Sequence, residues 1–170
     1  RKKIFKEIHA NLGGKLRLFV AGAAAFDPEL EKGLNDLGID TYQGYGLTET
    51  ANLVSGNPEG LNKPTSVGYL YPNQEIKIVN GELWLKGDNL LDSYYNEPEE
   101  NKTAFEDGWF KTGDLVRFDE ENFLYIVGRA KDVIVLSNGE NVSPAYIESK
   151  INQLTFIQDS LVTESTNELG

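Results

Sequence analysis

Asn80-Gly81 stands between two runs that each alternate apolar and polar residues, and no other stretch limits the fold so tightly. Asn and Gly both tolerate the positive φ angles that a two-residue hairpin turn demands. Such a turn sets Ile78 opposite Leu83 and Ile76 opposite Leu85, on one face of a hairpin over residues 75 to 87. A slip of one residue would turn that apolar row over to the opposite face. Leu115 to Phe118 and Phe123 to Val127 read as a second hairpin around Asp119-Glu120-Glu121-Asn122. Pro98 to Phe105 reads as a short helix. The middle of the chain is expected to be an antiparallel β layer.

The region before it has a different texture. Residues 16 to 20 alternate and read as a strand. Ala21-Gly22-Ala23-Ala24-Ala25 is a small-residue turn. Asp27 suits a helix cap and Pro28 a first turn; Phe26, Leu30, Leu34 and Leu37 mark the apolar side, and Gly38 the stop. Ile39 to Gln43 reads as another strand. Strand, helix, strand at this spacing predicts a parallel pair. After Gly128, Asp132 to Leu136 reads as a strand and Ser137-Asn138-Gly139-Glu140 as a turn. Ser143 is expected to cap a helix that Pro144 opens, with Ile147, Ile151 and Leu154 on one face. Residues 155 to 170 are expected to begin a further strand and end in a polar tail. The fold class expected is α+β. Residues 1–60 would be the end of a parallel α/β layer and 61–128 a β-rich, distorted, barrel-like antiparallel subdomain. Residues 129–170 would hold a hinge and the truncated start of a small α/β carboxyl-terminal domain.

Composition excludes several classes of function. The net charge of −11 argues against a nucleic-acid binder, which needs a basic face to displace counterions. With no cysteine, a disulfide framework, a zinc–thiolate site and a catalytic thiol are all ruled out. The lone histidine, His9, would have to serve any Ser-His-Asp triad, so none is expected. No apolar run reaches membrane-spanning length. The chain also lacks methionine, so Arg1 is not expected to be a natural start and a fragment is expected. Asn101-Lys102-Thr103 and Asn141-Val142-Ser143 match the glycosylation acceptor pattern and are read as chance matches.

Three constellations carry chemistry. In Tyr42-Gln-Gly-Tyr-Gly-Leu-Thr-Glu-Thr50, Gly44 and Gly46 permit close backbone approach and Tyr45 offers a flat face for a nucleobase. Thr48 adds a hydroxyl for a phosphoryl oxygen, and Glu49 a hard oxygen of the kind magnesium prefers. The stretch looks too glycine-rich for a regular strand, and its plainer alternative is a turn that caps a helix. In Gly108-Trp-Phe-Lys-Thr-Gly-Asp114, the Asp114 carboxylate could accept from both hydroxyls of a ribose, or simply end a turn. In Gly128-Arg-Ala-Lys-Asp132, Arg129 supplies fixed donors for a sugar or phosphate, or joins a surface ion pair.

The order of these stretches is more specific than any one of them. Together with Gly81-Glu-Leu-Trp-Leu-Lys-Gly87, Tyr94-Tyr-Asn-Glu-Pro-Glu99 and Ser137-Asn-Gly-Glu-Asn-Val-Ser-Pro144, they resemble the adenylate-forming superfamily of acyl-CoA synthetases, luciferases and adenylation domains. Leu136 to Ser143 looks most like the long-chain fatty-acid–CoA ligase branch. The resemblance implies that a carboxylate attacks ATP to form an acyl adenylate, and that coenzyme A then displaces AMP. It implies that Tyr45 stacks on adenine, that Gly22, Ala23 and Ala24 line the adenine edge, that Gly44 and Gly46 border the site of the acid's carboxylate, and that Leu47 is among the nucleotide-binding residues. Thr48 would meet phosphate and Glu49 would ligate magnesium. Asp114 would bind ribose, with Arg129 assisting and Ile126 packing on the sugar. Lys131 would be the hinge, and Ser137, Asn138, Gly139 and Glu140 would approach the pantetheine arm of coenzyme A. Many relatives have glycine where Ala23 stands.

The family's Ser/Thr/Gly-rich phosphate loop is expected upstream of Arg1, and its adenylation lysine downstream of Gly170. The isolated segment is therefore expected to bind AMP weakly or not at all, and to be inactive. The implied substrates are a fatty acid, ATP and coenzyme A, with no nucleic acid. The implied location is cytoplasmic, with peripheral membrane attachment as the alternative. Other readings are an acyl–carrier-protein ligase or adenylation domain, a non-catalytic nucleotide-binding module, and a structural β-rich domain.

Overall fold

The computed structural model describes residues 4–23, 26–51, 53–72 and 74–165. Helix α1 (Lys6–Asn11) precedes strand β1 (Leu18–Ala21), helix α2 (Pro28–Leu37) and strand β2 (Asp40–Gly46). β1 and β2 run parallel, Leu18 beside Asp40 through Ala21 beside Gln43. Asp27 caps α2 by accepting from Glu29 N at 2.7 Å and Leu30 N at 3.0 Å, and Gly38 ends it at φ 84°. His9 is buried, and its Nε2 donates to the Leu37 carbonyl at 2.8 Å, so it joins α1 to the end of α2.

Phe26, Leu34 and Leu37 are half-buried as expected of the apolar side of α2, and Leu30 is the exception. Leu30 is 54% exposed, and the fully buried side chain of the helix is Glu31. Its carboxylate accepts from Gln43 Nε2 at 3.1 Å and from Asn62 Nδ2 at 2.6 Å. These amide donors compensate a buried carboxylate that would otherwise be costly.

β2 also continues through Gly46, past the point where its glycines suggested a loop. It pairs with β3 (Leu53–Gly56), Gly44 beside Gly56 and Gly46 beside Leu53. A Cβ at Gly44 would lie 3.1 Å from the Ser55 carbonyl oxygen, so the glycine fits close packing rather than a bend. β4 (Tyr69–Leu70) completes a mixed four-stranded sheet in the order β1-β2-β3-β4.

The second sheet contains β5 (Glu75–Val79), β6 (Glu82–Lys86), β7 (Phe105–Glu106), β8 (Trp109–Phe118) and β9 (Leu124–Arg129), with α3 (Pro98–Ala104) ahead of β7. Its path is β5-β6-β8-β7, with β9 also on β8. The β5–β6 register is the expected one, Ile78 beside Leu83 and Ile76 beside Leu85, and Asn80 and Gly81 have φ 52° and 85°. Lys77 Nζ lies 4.3 Å and 4.6 Å from the ring centroids of Trp84 and Trp109.

Tyr45 and Val54 from the first sheet pack with Leu83, Leu85, Val116 and Leu124 from the second. One apolar core therefore runs across residue 60, and each fully buried leucine in it contributes about 1.5–3 kcal/mol. The architecture is α+β with a strongly curled antiparallel sheet.

Beyond β9, a 3-10 turn (Ala130–Asp132) leads to a two-stranded hairpin, β10 (Ile134–Val135) and β11 (Asn141–Val142), and then to α4 (Pro144–Ile151). The expected strand over 132–136 shrinks to two residues. Ser143 occupies the N-cap position of α4, but its side chain makes no capping hydrogen bond; its hydroxyl donates to the Val127 carbonyl at 3.1 Å. Leu154 lies beyond the helix and is exposed, and residues 155–165 form no strand. Residues 166–170 lie outside the described chain. No described helix is long and apolar enough to cross a membrane.

Candidate functional site

β2 delivers Tyr45, and β8 and β9 deliver Asp114 and Arg129 as cross-strand partners. Tyr45 Oη donates to Asp114 Oδ2 at 2.6 Å, and Arg129 Nη1 donates to Asp114 Oδ1 at 2.8 Å. Asp114 is 3% exposed and Tyr45 8%, while the guanidinium is half-exposed. Both carboxylate oxygens are thus engaged, one by a neutral and one by a charged donor. The Thr112 hydroxyl accepts from Asp114 N at 3.0 Å and donates to the Leu83 carbonyl at 2.7 Å, which anchors the backbone beneath the carboxylate. Burial, followed by the charge of Asp114, raises the pKa of the Tyr45 hydroxyl and keeps it a donor. The Tyr45 ring lies in the core and presents no broad open face.

The peptide after β2 closes as a 3-10 turn, Thr48–Thr50. Thr50 is buried; its hydroxyl accepts from Leu47 N at 3.0 Å and donates to Leu47 O at 2.8 Å. Thr48 is exposed and Glu49 is half-buried. Tyr94 Oη donates to Glu49 Oε1 at 2.8 Å. Leu91 N donates to the Glu49 carbonyl at 2.8 Å, and Asn89 Nδ2 to the Thr50 carbonyl at 3.0 Å. Burial first, then the hydrogen bond to Glu49, pushes the Tyr94 pKa up to about 12, with the charge of Arg129 opposing.

An open cleft of about 480 Å³ lies against this turn, lined by Ala23, Gly46, Leu47, Thr48, Ala51 and Leu53. Gly22 sits over β2, where a Cβ would be 3.6 Å from the Gly44 carbonyl oxygen. Ala23 holds φ 69°, a left-handed conformation that favours glycine. Ala24 lies outside the described residues.

The other expected residues are more dispersed. Ile126 is half-buried against the core, level with Val116. Lys131 is exposed on the 3-10 turn after β9. Ser137, Asn138, Gly139 and Glu140 form an exposed turn, closed by Gly139 N donating to Leu136 O at 2.8 Å and Leu136 N to Glu140 O at 2.9 Å. Among the described residues, no cluster of three or more His, Cys, Asp or Glu could hold a metal. Thr48 lines the cleft, and Glu49 follows it on the same turn with its carboxylate held by Tyr94, so the donor set of the turn is one carboxylate and one hydroxyl. That set fits magnesium, which takes one or two protein carboxylates and completes its shell with phosphate oxygens and water. Sequence reasoning gave no role to Tyr94, Asn89 or Thr50. Tyr94 lay within a quoted motif, but its partner is 45 residues away, and spacing carries no signal for that.

A profile described as AMP-binding enzyme matches residues 2–95. The chain belongs to this family. The AMP-binding enzymes similar to it include long-chain-fatty-acid–CoA ligase FadD15 of Mycobacterium bovis, 36% identical over 160 residues, covering 94% of this chain and 27% of that protein. 2-Succinylbenzoate–CoA ligase of Bacillus subtilis is 38% identical over 144 residues, covering 78% of this chain and 29% of that one. The chain thus spans just over a quarter of either relative. Among solved structures, O-succinylbenzoate coenzyme A synthetase of Bacillus subtilis in complex with ATP and magnesium superposes with a TM-score of 0.80 at 29% identity, over 96% of this chain and 38% of that one. An anthranilate–CoA ligase in complex with anthranoyl-AMP gives 0.75 at 27% identity, over 85% and 30%. This places the chain in the adenylate-forming superfamily, as the motif order implied.

Proposed function

We propose that this chain is the nucleotide-binding portion of an AMP-forming acid–CoA ligase, and that the acid is a long-chain fatty acid. The observation that carries the reading is the convergence of Tyr45 and Arg129 on the Asp114 carboxylate. The Thr48–Thr50 turn and its cleft follow just past the end of the strand that carries Tyr45. In the first half-reaction a carboxylate oxygen of the acid bonds to the α-phosphorus of ATP and the bond to pyrophosphate breaks. In the second, the thiol of coenzyme A loses its proton, its sulfur bonds to the acyl carbonyl, and AMP leaves.

The residues present divide the work of binding and orientation. Asp114 accepts from the ribose hydroxyls, with the Arg129 hydrogen bond holding the carboxylate in direction. Gly22, Ala23, Gly44, Gly46 and Leu47 shape the wall against which the nucleotide lies, and Ile126 supports the sugar from the core side. Thr48 donates to a phosphate oxygen, and Glu49 would hold magnesium. Magnesium, when bound, supplies charge neutralisation on the phosphate oxygens. Holding Asp114 is the role that Tyr45's geometry supports. To stack on adenine, it must offer the margin of its ring or release Asp114. Lys131 and the turn from Ser137 to Glu140 follow β9 in the chain and are exposed, as a hinge and a coenzyme A contact would be. A cytoplasmic location suits the three substrates.

The fatty-acid assignment is supported by the relatives named for long-chain acids; others similar to this chain are named for 2-succinylbenzoate and anthranilate. Pyrophosphate release by the full-length protein, across acyl chain lengths and aromatic acids and with or without coenzyme A, tests the reading. Release that depends on a fatty acid, with thioester formed only when coenzyme A is added, is expected. Absence of acid-dependent release would contradict the ligase. Preference for an aromatic acid would contradict the fatty-acid assignment. The 170-residue chain alone is expected to form no acyl adenylate.

A further inference from the structure

We propose that Tyr94 is a positioning residue for the cation that Glu49 would hold, an inference that rests on the nucleotide-site reading above. A carboxylate has two oxygens, and a free one rotates and can chelate a cation through both. Here the Tyr94 hydroxyl takes Oε1 at 2.8 Å and leaves Oε2 for an incoming ion. The hydrogen bond biases the carboxylate toward binding through one oxygen before any ligand arrives. Magnesium demands near-octahedral geometry, so a pre-set single oxygen suits it better than a mobile chelating pair.

The tyrosine is itself held. Its backbone N donates to Asn101 Oδ1 at 2.7 Å, and its carbonyl accepts from Asn101 Nδ2 at 2.9 Å. Its ring centroid lies 6.3 Å from that of Phe105. Tyr95, next in sequence, is 90% exposed and has no such constraints. The contact is also one of three from the same connection between β6 and α3. Asn89 and Leu91 hold the Thr50 and Glu49 carbonyls, so the segment braces the turn at its backbone while Tyr94 aims its side chain. The Asn101 amide is occupied in fixing Tyr94.

The test uses the full-length protein and Tyr94→Phe, which keeps the ring on Phe105 and removes only the hydroxyl. The expected result is a rise of about tenfold or more in the magnesium concentration needed for half-maximal pyrophosphate release, the loss of one hydrogen bond to a charged group. The thermal stabilisation by ATP should need correspondingly more magnesium, while stabilisation by AMP without metal should not change. In a Glu49→Gln background, Tyr94→Phe should add nothing to the magnesium effect. An unchanged magnesium requirement would overturn the proposal. So would equal loss of the AMP and magnesium–ATP shifts, which is what a purely structural tyrosine gives. If the parent protein releases no pyrophosphate, the ligase reading fails on its own, and the magnesium dependence of ATP stabilisation still decides the role of Tyr94.

Discussion

Tyr45 and Asp114 lie 69 residues apart in the chain and share a 2.6 Å hydrogen bond that joins the two sheets at the candidate site. Removing the phenol leaves a buried carboxylate oxygen without its donor. Tyr45→Phe is expected to destabilise the chain by about 1–3 kcal/mol in urea unfolding. In a double-mutant cycle with Asp114→Asn, the two changes should couple by roughly 1 kcal/mol or more. Additive effects would mean that the bond does not contribute.

Ala23 occupies a backbone conformation that costs an L-residue roughly 1–2 kcal/mol and a glycine far less. Ala23→Gly should therefore raise the unfolding free energy, by about 1 kcal/mol after the greater flexibility of the unfolded chain is subtracted. Calorimetry on the two chains checks the sign. A loss of stability would show that Ala23 does not hold this conformation.

Glu31 predicts the opposite of what its helix pattern suggests. Glu31→Leu adds an apolar side chain at a fully buried position, yet it removes the acceptor for Gln43 and Asn62. The orphaned amides should make the change destabilising by about 2–4 kcal/mol, whereas Leu30→Gln, on the exposed side, should be nearly neutral.

Asp119 gives a pH signature. Lys63 donates to its carboxylate, joined by the backbone amides of Phe123 and Glu121 and the Tyr125 hydroxyl, and these hold its pKa at about 2. In the unfolded chain an Asp titrates near about 3.9. Its folded pKa is depressed, so its contribution to stability is present above about pH 4 and is lost as the pH falls toward 2. Asp119→Asn keeps the acceptor for the two amides and removes the charge. The melting-temperature gap between Asp119→Asn and the parent chain should be largest above pH 4 and close on acidification. A gap that does not depend on pH would rule the ion pair out.

What could be read from the sequence was what is decided locally. The Asn80-Gly81 turn sets its own register, and Asp27 with Gly38 marks both ends of α2, because each device acts within a few residues. The burial of Glu31 could not be read that way. Counting apolar residues favoured Leu30, while Glu31 is held by a polar network whose members, Gln43 and Asn62, come from elsewhere in the chain. The contact of the Ser143 hydroxyl with the Val127 carbonyl, 16 residues away, is likewise absent from local pattern. At the site, motif order named Asp114, Arg129 and Tyr45, and the contacts among them needed coordinates. Those contacts also changed the reading of Tyr45 from an open stacking face to a buried hydroxyl donor. Tyr94 was invisible because its only sign is a contact across 45 residues.

The central claim is that residues from β2, β8 and β9 bound a single nucleotide site. Photolabelling of the full-length protein with an azido-adenine analogue of ATP, followed by peptide mapping, tests it most directly. The account predicts label on the peptides carrying Ala23, Tyr42 to Thr50 or Thr112 to Asp114, abolished by excess AMP and reduced in Asp114→Ala. AMP-protected label confined to the Lys77, Trp84 and Trp109 face, with none on those peptides, would contradict it.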